Sequence, residues 1–466
     1  MSERKPAAVV LGGSLAGLLA ARALASTGAR VTVVERDALP AGPEPRRGCR
    51  RPACAPAVVG RGAGTGAAAA RGDRAAAGGR VSRVPMTTDM VALSPHGWYR
   101  RWSESAFMLP ASRDLLDWVV RQLALAHGDI ELVERAEAVA LTGTDTGVTG
   151  VRIRAHDAAE RTLSADLVVD ATGRGSRASH WLTELGLPGP ERREVDSGLV
   201  YASRLFRAPE QAARDGFPIV NIEPDPRGAG TGRGGVLMPV EDGRWIVTLF
   251  GGRGDDIPKD PDHFDRYALK ELRHPLIGEL LANAEPLTEV TTTRTTANRR
   301  YFFERMPVWP ENFVVLGDAV CALNPVYGHG MAVSAQSALA LRDVIRRQGP
   351  LGSTPGLSRH IQKAVGRTVR AAWDLAIGAD VFYPGATETG PTLRDRLLSA
   401  YVGRLLYTAT GNGRVARRMT DVTALQRGAE ALLAPSVLVA AAVGPLKPPL
   451  TAPPLTVEER KAAGVF

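Results

Sequence analysis

The stretch "AAVVLGGSLAGLLAARALASTGARVTVVERD", residues 7–37, constrains the fold more than any other part of the chain. The apolar run Ala7 to Leu11 reads as a buried strand, Gly12-Gly13-Ser14 as a turn, the next dozen residues as a helix, and Val31 to Glu35 as a second strand. Strand, glycine turn, helix and strand in that order make a βαβ unit carrying the dinucleotide fingerprint, with Ser14 in the place of the second glycine of GxGxxG. Gly12 serves the tight turn, Ser14 is small enough for a pyrophosphate to approach the backbone, and Gly17 lets helix and strand pack closely. The phosphates belong at the helix N-terminus, where unpaired N–H groups and the helix dipole favour negative charge. Glu35 ends the second strand 23 residues beyond Gly12, near the expected spacing of about 20, where a carboxylate accepts hydrogen bonds from a ribose diol, and Arg36 stands beside it as a further contact. The motif is not a nucleophile elbow, because Ala16 occupies the position where that turn needs glycine.

At 466 residues the chain is long enough for two or three packed units, and 44% hydrophobic with 23% charged residues fits a globular protein. The formal charge of +9 does not mark a nucleic-acid binder, because residues 49–80 alone carry six Arg against one Asp. Cys49, Cys54 and Cys321 make neither a disulfide framework nor a spaced zinc site, so a reducing cytoplasm is expected. Arg4 and Lys5 before an apolar run superficially resemble a signal peptide, but cleavage would destroy the βαβ unit. No stable membrane insertion is expected: the best apolar stretch, Leu432 to Val443, is short and interrupted by Pro435.

Two further stretches decide which dinucleotide is bound. "ADLVVDATGRGSR" (165–177) is a buried strand that ends at Asp170 and empties into a turn at Gly173. "NFVVLGDAVCALNPVYGHGMAVSAQSALALRDVI" (312–345) is a strand, a Gly317-Asp318 turn, a Pro325 loop and a helix starting near Gly328. Strand, Gly-Asp, Pro and Gly-x-Gly before a long helix resemble the flavin end of the FAD-dependent monooxygenases related to para-hydroxybenzoate hydroxylase. The resemblance implies that Asp318 holds the ribityl chain and that the loop through Pro325, Gly328, Gly330 and Met331 lies beside the isoalloxazine ring. Reduced flavin carries negative charge near N1 and O2, which the N-terminus of that helix would stabilise. In "ASRDLLDWVVRQLALAHG" (111–128), Ser112 reads as N-cap, Leu116, Val119, Val120 and Leu123 as the apolar face and Gly128 as the stop. Arg113 in its first turn is electrostatically misplaced and points to an anionic partner; the family carries an FAD-contacting arginine here.

The alternating runs 198–206, 234–240 and 243–252 fit an antiparallel sheet with one buried face, a roof for a substrate cavity. Residues from about 350 read as amphipathic helices, closed by "PLKPPLTAPPLT" as an extended strap. The expected fold is therefore α/β: a Rossmann-like FAD-binding domain, an antiparallel β-sheet substrate domain and C-terminal helices. The expected boundaries assign 1–90, 111–180 and 296–348 to FAD binding, 91–110 and 181–295 to the substrate domain, and 349–466 to the helical region.

"VDSGLVYASRLFRAPE", "RHPLIGELLANAEPLT", the stretch through "NPVYGHGM" and the closing "LTAPPLTVEE" are similar to the flavin epoxidases of actinomycete polyether biosynthesis. The similarity breaks off after Gly48 and resumes beyond residue 80. Within the interruption, 24 of 32 residues are Ala, Gly or Arg, and no helical or strand period runs across it. Family members continue here with a Val-Pro-Gln-x-x-His-x-His stretch and a leucine-rich helix. One permitted coding of Ala53 to Gly60, GCA TGC GCA CCT GCT GTG GTC GGG, gives His-Ala-His-Leu-Leu-Trp-Ser when its first base is dropped. Residues 49 to roughly 80 are accordingly read as an out-of-frame translation, by mutation or sequencing error, and "GAGTG" within them is not counted as a second nucleotide site.

The resemblance implies epoxidation of alkenes in a linear polyene polyketide, free or carrier-protein-bound, through a flavin hydroperoxide, with FAD as cofactor and NADH or NADPH as electron donor. No metal is called for, and no acid–base residue is demanded; His329 is a proton-relay candidate, with a plain loop residue as the favoured reading. The rivals are an aromatic hydroxylase on the same scaffold and a catalytically silent, polyketide-binding homologue. A halogenase is disfavoured because the Trp-x-Trp-x-Ile-Pro signature is absent.

Overall fold

A computed structural model describes residues 4–46, 57–59, 83–103, 106–156, 159–225 and 232–465. Most of the anomalous run, with Cys49, Cys54 and "GAGTG", lies outside the described residues. Three of its residues, Ala57–Val59, form a short strand paired antiparallel with Phe107–Leu109, so the run is not wholly without regular structure.

The chain divides into two compact units: Met1–Arg50 with Asp114–Glu194 and Asn298–Trp373, and Arg51–Arg113 with Val195–Ala297 and Asp374–Phe466. The first is built on a five-stranded parallel sheet in the order Phe313–Val315, Leu167–Asp170, Ala7–Leu11, Arg30–Val34, Ile130–Val133. All four pairings are parallel, and the first strand in sequence lies at the centre. A central strand of a parallel sheet is covered on both faces, which explains why Val9, Val10 and Leu11 are all buried. The register sets Leu11 beside both Val34 and Asp170, and Asp170 beside Val315. Gly12, Glu35, Ala171 and the Gly317 turn therefore emerge together at the carboxyl edge, where ligands of open α/β sheets bind. The Leu15–Ala25 helix packs against the His329–Gln348 helix, and its Leu18, Ala20, Ala21 and Leu24 are buried.

The second unit contains a larger sheet in which Val200–Arg207, Arg244–Gly251 and Gly234–Val240 run antiparallel. Two features depart from the sequence expectation. Ile219–Ile222 pairs parallel with Met90–Ser94, so the sheet is mixed. Both faces are also covered: Phe206, Trp245 and Leu249 join a core with Phe264, Tyr267 and Ile277 of two helices, while Met238 and Ile219 pack with Met108 in a separate cluster. Burial on both faces erases the polar alternation that a one-sided sheet would show. The Pro-rich strap is extended, with the Trp98 backbone amide donating to the Leu450 carbonyl at 3.1 Å and Leu455 buried in the larger core. The helices Leu393–Gly411, Gly413–Thr423 and Pro435–Val443 share a small core of Leu405, Ala409, Val415, Leu432, Val437 and Ala441. Pro435 stands in the first helical turn, where its missing N–H costs nothing. No helix among the described residues is long and apolar enough to cross a membrane.

Candidate cofactor site

The carboxyl edge of the parallel sheet collects three of the motifs. Gly12 has φ +96°, and a Cβ there would meet the Ala171 carbonyl oxygen at 2.7 Å; at Gly17 a Cβ would stand 1.8 Å from the Gly12 carbonyl oxygen. Only glycine permits this turn and this helix approach. Ser14 is extended at the N-cap without a side-chain capping bond, and the first turn of the helix holds no acid. The first-turn N–H groups are therefore not neutralised by the helix's own carboxylates.

Glu35 is buried, accepting from the Gly13 amide at 2.7 Å and from the Asp37 amide at 3.1 Å. A carboxylate has about four acceptor positions, so the two amides do not exhaust its acceptor capacity. Arg46, also buried, donates to the Gly13 carbonyl at 3.1 Å and lies 3.5 Å from the Glu35 carboxylate. Arg36 is exposed, 3.9 Å from the Asp37 carboxylate.

Asp170 is fully buried, accepting from the Thr172 amide (2.9 Å), the Thr172 hydroxyl (2.6 Å) and the Ser176 hydroxyl (2.6 Å). Burial pushes its carboxyl above the ordinary range, against the lowering effect of those donors. These three bonds fix the turn whose Gly173, at φ +74°, would place a Cβ 3.9 Å from the Asp318 Cβ. Arg174 of the same turn donates to the Leu323 carbonyl at 2.8 Å, and Arg299 donates back to the Arg174 carbonyl. Gly317, at φ +66°, places Asp318 next to the helix that follows, with only 3.9 Å between a Cβ on Gly330 and the Asp318 carboxylate.

The loop before that helix is held by buried Asn324, whose backbone N–H donates to Asn298 Oδ1 at 2.7 Å and whose side-chain oxygen accepts from the Val326 amide. Pro325 is exposed, Gly328 adopts a left-handed N-cap, and Met331 is buried. His329 is buried in the first turn and stacks on Tyr327, ring centroids 6.1 Å apart. No acid occupies this first turn either.

The Arg113–Leu125 helix starts directly after Ser112, with Arg113 half-buried in its first position. Its buried face is Leu115, Leu116, Val119 and Ala124 together with Asp117 and Arg121, whereas Leu123 is exposed and Val120 only half-buried; the face read from the sequence is corrected accordingly. Arg121 donates to the Pro40 and Gly42 carbonyls, and Trp118 donates to the Ala41 carbonyl at 3.0 Å. Burial and neighbouring Arg46 lower the pKa of Arg121 from its usual high value. The helix thereby pins the loop that delivers Arg46. Arg46, Trp118 and Arg121 were missed in the sequence reading; the spacing Arg113, Asp117, Arg121, a polar stripe at four-residue intervals, was the available signal. In the second unit, Glu223 was also missed. Partly open at its surface but enclosed by packed atoms, it has its carboxyl pushed up to about 7 by desolvation, against the opposing charge of Arg273. Cys321 is a buried free thiol whose pKa burial raises.

Backbone amides at two acid-free helix starts, a buried carboxylate just past the second strand and an aspartate between two glycine turns fit the pyrophosphate, ribose and ribityl parts of a flavin dinucleotide. The fold and this edge define a dinucleotide-binding oxidoreductase. Residues 5–345 match the FAD binding domain family, and the chain belongs to it, with a fold of the FAD-dependent monooxygenase type. It is 30% identical over 404 residues to Protein Rv3254 of Mycobacterium tuberculosis, covering 83% of each chain. It is 28% identical over 435 residues to kynurenine 3-monooxygenase of Salinispora tropica, covering 88% of this chain and 84% of the relative. Its fold is similar to the crystal structure of a flavoprotein/dehydrogenase from Cytophaga hutchinsonii, with TM-score 0.63, 14% identity, and 94% and 98% of the two chains covered.

Proposed function

We propose that the protein is an NAD(P)H-dependent, cytoplasmic epoxidase that oxidises alkenes of a linear polyene polyketide, free or carrier-protein-bound, on the way to a polyether. The observation that carries the monooxygenase part is the carboxyl edge itself, where Gly12, Glu35 and the Asp318 turn converge beside a helix headed by Gly328 and His329. The polyene part is supported by the resemblance of "NPVYGHGM" and the closing segments to polyether epoxidases. When bound, FAD supplies the redox chemistry and the activation of oxygen. The chain's own residues bind and orient it: the Leu15 helix start takes the pyrophosphate, Glu35 the ribose, and Asp318 the ribityl hydroxyls. The acid-free start of the His329–Gln348 helix directs backbone donors and the positive end of its dipole toward negative charge on the ring. His329, held against Tyr327, would keep that first turn rigid and serve as a relay candidate.

A second reading, an aromatic hydroxylase, is favoured by the likeness to kynurenine 3-monooxygenase. The two part on which substrate stimulates NAD(P)H oxidation by the FAD-loaded protein. Stimulation by a linear polyene with oxygen incorporated as an epoxide supports the proposal. Stimulation by phenols or anilines alone selects the hydroxylase. A protein that retains FAD but accelerates with neither is the silent homologue.

A further inference from the structure

Nine of the thirteen exposed large aliphatic side chains among the described residues fall between Leu393 and Leu446. On the Leu393–Gly411 helix, Leu393, Leu397 and Leu398 are 50–74% exposed, in its first two turns. The Pro435–Val443 helix contains no charged residue; it turns Val437 and Ala441 inward and leaves Val439 and Val443 two-thirds exposed, with Leu446 just beyond. A helix apolar on all sides is normally enclosed, and an apolar patch of this kind marks an interaction surface. The two helices belong to one surface, because Arg404 donates to the Ala441 and Ala442 carbonyls at 2.6 and 3.0 Å, and Tyr401 donates to the Leu432 carbonyl at 2.6 Å.

The charge on this region identifies what covers it. Residues 391–447 hold eight Lys or Arg against three Asp or Glu. Of the three acids, Asp395 is engaged in the capping box with Thr392, and Asp421 lies 3.6 Å from Arg427. A second copy of the chain would bring excess positive charge against excess positive charge. Exposed leucine and valine flanked by arginine is instead the composition of elements that lie in the interface of an anionic bilayer without spanning it.

We propose that the surface formed by the Leu393–Gly411 and Pro435–Val443 helices docks peripherally on anionic phospholipid membranes. Leu397 and Leu398 enter the acyl boundary, and Arg394 and Arg396 meet lipid phosphates. This surface lies outside the cofactor site, and its test does not depend on the epoxidase reading.

The test is co-sedimentation of the full chain with vesicles of phosphatidylcholine, with and without phosphatidylglycerol, at low and high salt. Binding is expected only with the anionic lipid and is expected to weaken with salt. The pairs Leu397→Ser/Leu398→Ser and Arg394→Glu/Arg396→Glu should each lower the partition coefficient by about tenfold or more. Their exposure leaves folding intact, which an unchanged melting profile checks. The proposal is overturned if anionic vesicles do not bind, if both variants bind as the parent does, or if the variants instead dissociate a dimer. Binding to an acidic carrier protein with no vesicle binding overturns it as well.

Discussion

Gly17→Ala isolates the contact on which the cofactor cradle depends. The added methyl would lie 1.8 Å from the Gly12 carbonyl oxygen and 3.3 Å from Val10 Cγ1, where ordinary contact begins at 3.4 Å. The nearest obstacle is backbone, so no rotamer change relieves it, and the helix has to retreat from the glycine turn by about 1.6 Å. Retreat strains the packing of buried Leu18, Ala21 and Leu24, an overpacking cost of about 1–3 kcal/mol. In a unit of this size each kcal/mol lowers Tm by about 2–4 °C. The displacement also carries the first-turn amides off the pyrophosphate position, and a loss of about 10- to 100-fold in FAD affinity corresponds to about 1.4–2.7 kcal/mol. Flavin fluorescence titration gives the affinity and a thermal melt gives the stability. Gly128→Ala is the control, since a Cβ there meets nothing within 4 Å. If Gly17→Ala bound FAD as tightly as the parent and melted at the same temperature, the close-approach argument would be refuted.

Arg121→Met keeps the side-chain length but removes the donors to Pro40 and Gly42; a stability loss of about 1–3 kcal/mol and faster proteolysis within residues 40–46 are expected, and unchanged cleavage would show that the loop is held by other contacts. Glu223 tests linkage. Its folded pKa of about 7 lies above the unfolded value of 4.5, so its stabilising contribution is complete below the unfolded pKa and is lost as pH rises through about 7. Glu223→Gln should flatten the melting temperature between those pH values and gain stability relative to the parent above pH 7, and a parallel pair of pH profiles would refute the assignment.

Much of the cofactor unit was legible because its signals are local. A buried run, a residue forced to positive φ and a helix start each occupy a few consecutive positions, so Gly12, Gly317 and Gly328 could be placed before any tertiary contact was known. The Arg113 helix was located with its buried Leu116 and Val119, but Val120 and Leu123 were assigned to the apolar face while the structure buries Asp117 and Arg121 instead. Arginine burial depends on carbonyls supplied by Pro40, 81 positions away, and no local pattern encodes that. The mixed pairing of Ile219–Ile222 with Met90–Ser94 was unreadable for the same reason: β-strand periodicity fixes which side chains share a face but not the direction of a distant partner.

The sequence by itself determined the βαβ unit, its glycine turn and the acid at the end of the second strand, since backbone sterics and hydrophobic period are properties of neighbouring residues. Only the tertiary structure decided that Asp170 accepts from Thr172 and Ser176, that Arg46 closes on Glu35, and that Leu397, Leu398, Val439 and Val443 of the C-terminal helices stay exposed. Those outcomes follow from which elements compete for the same donors and the same buried surface, a competition settled only when the whole chain has packed.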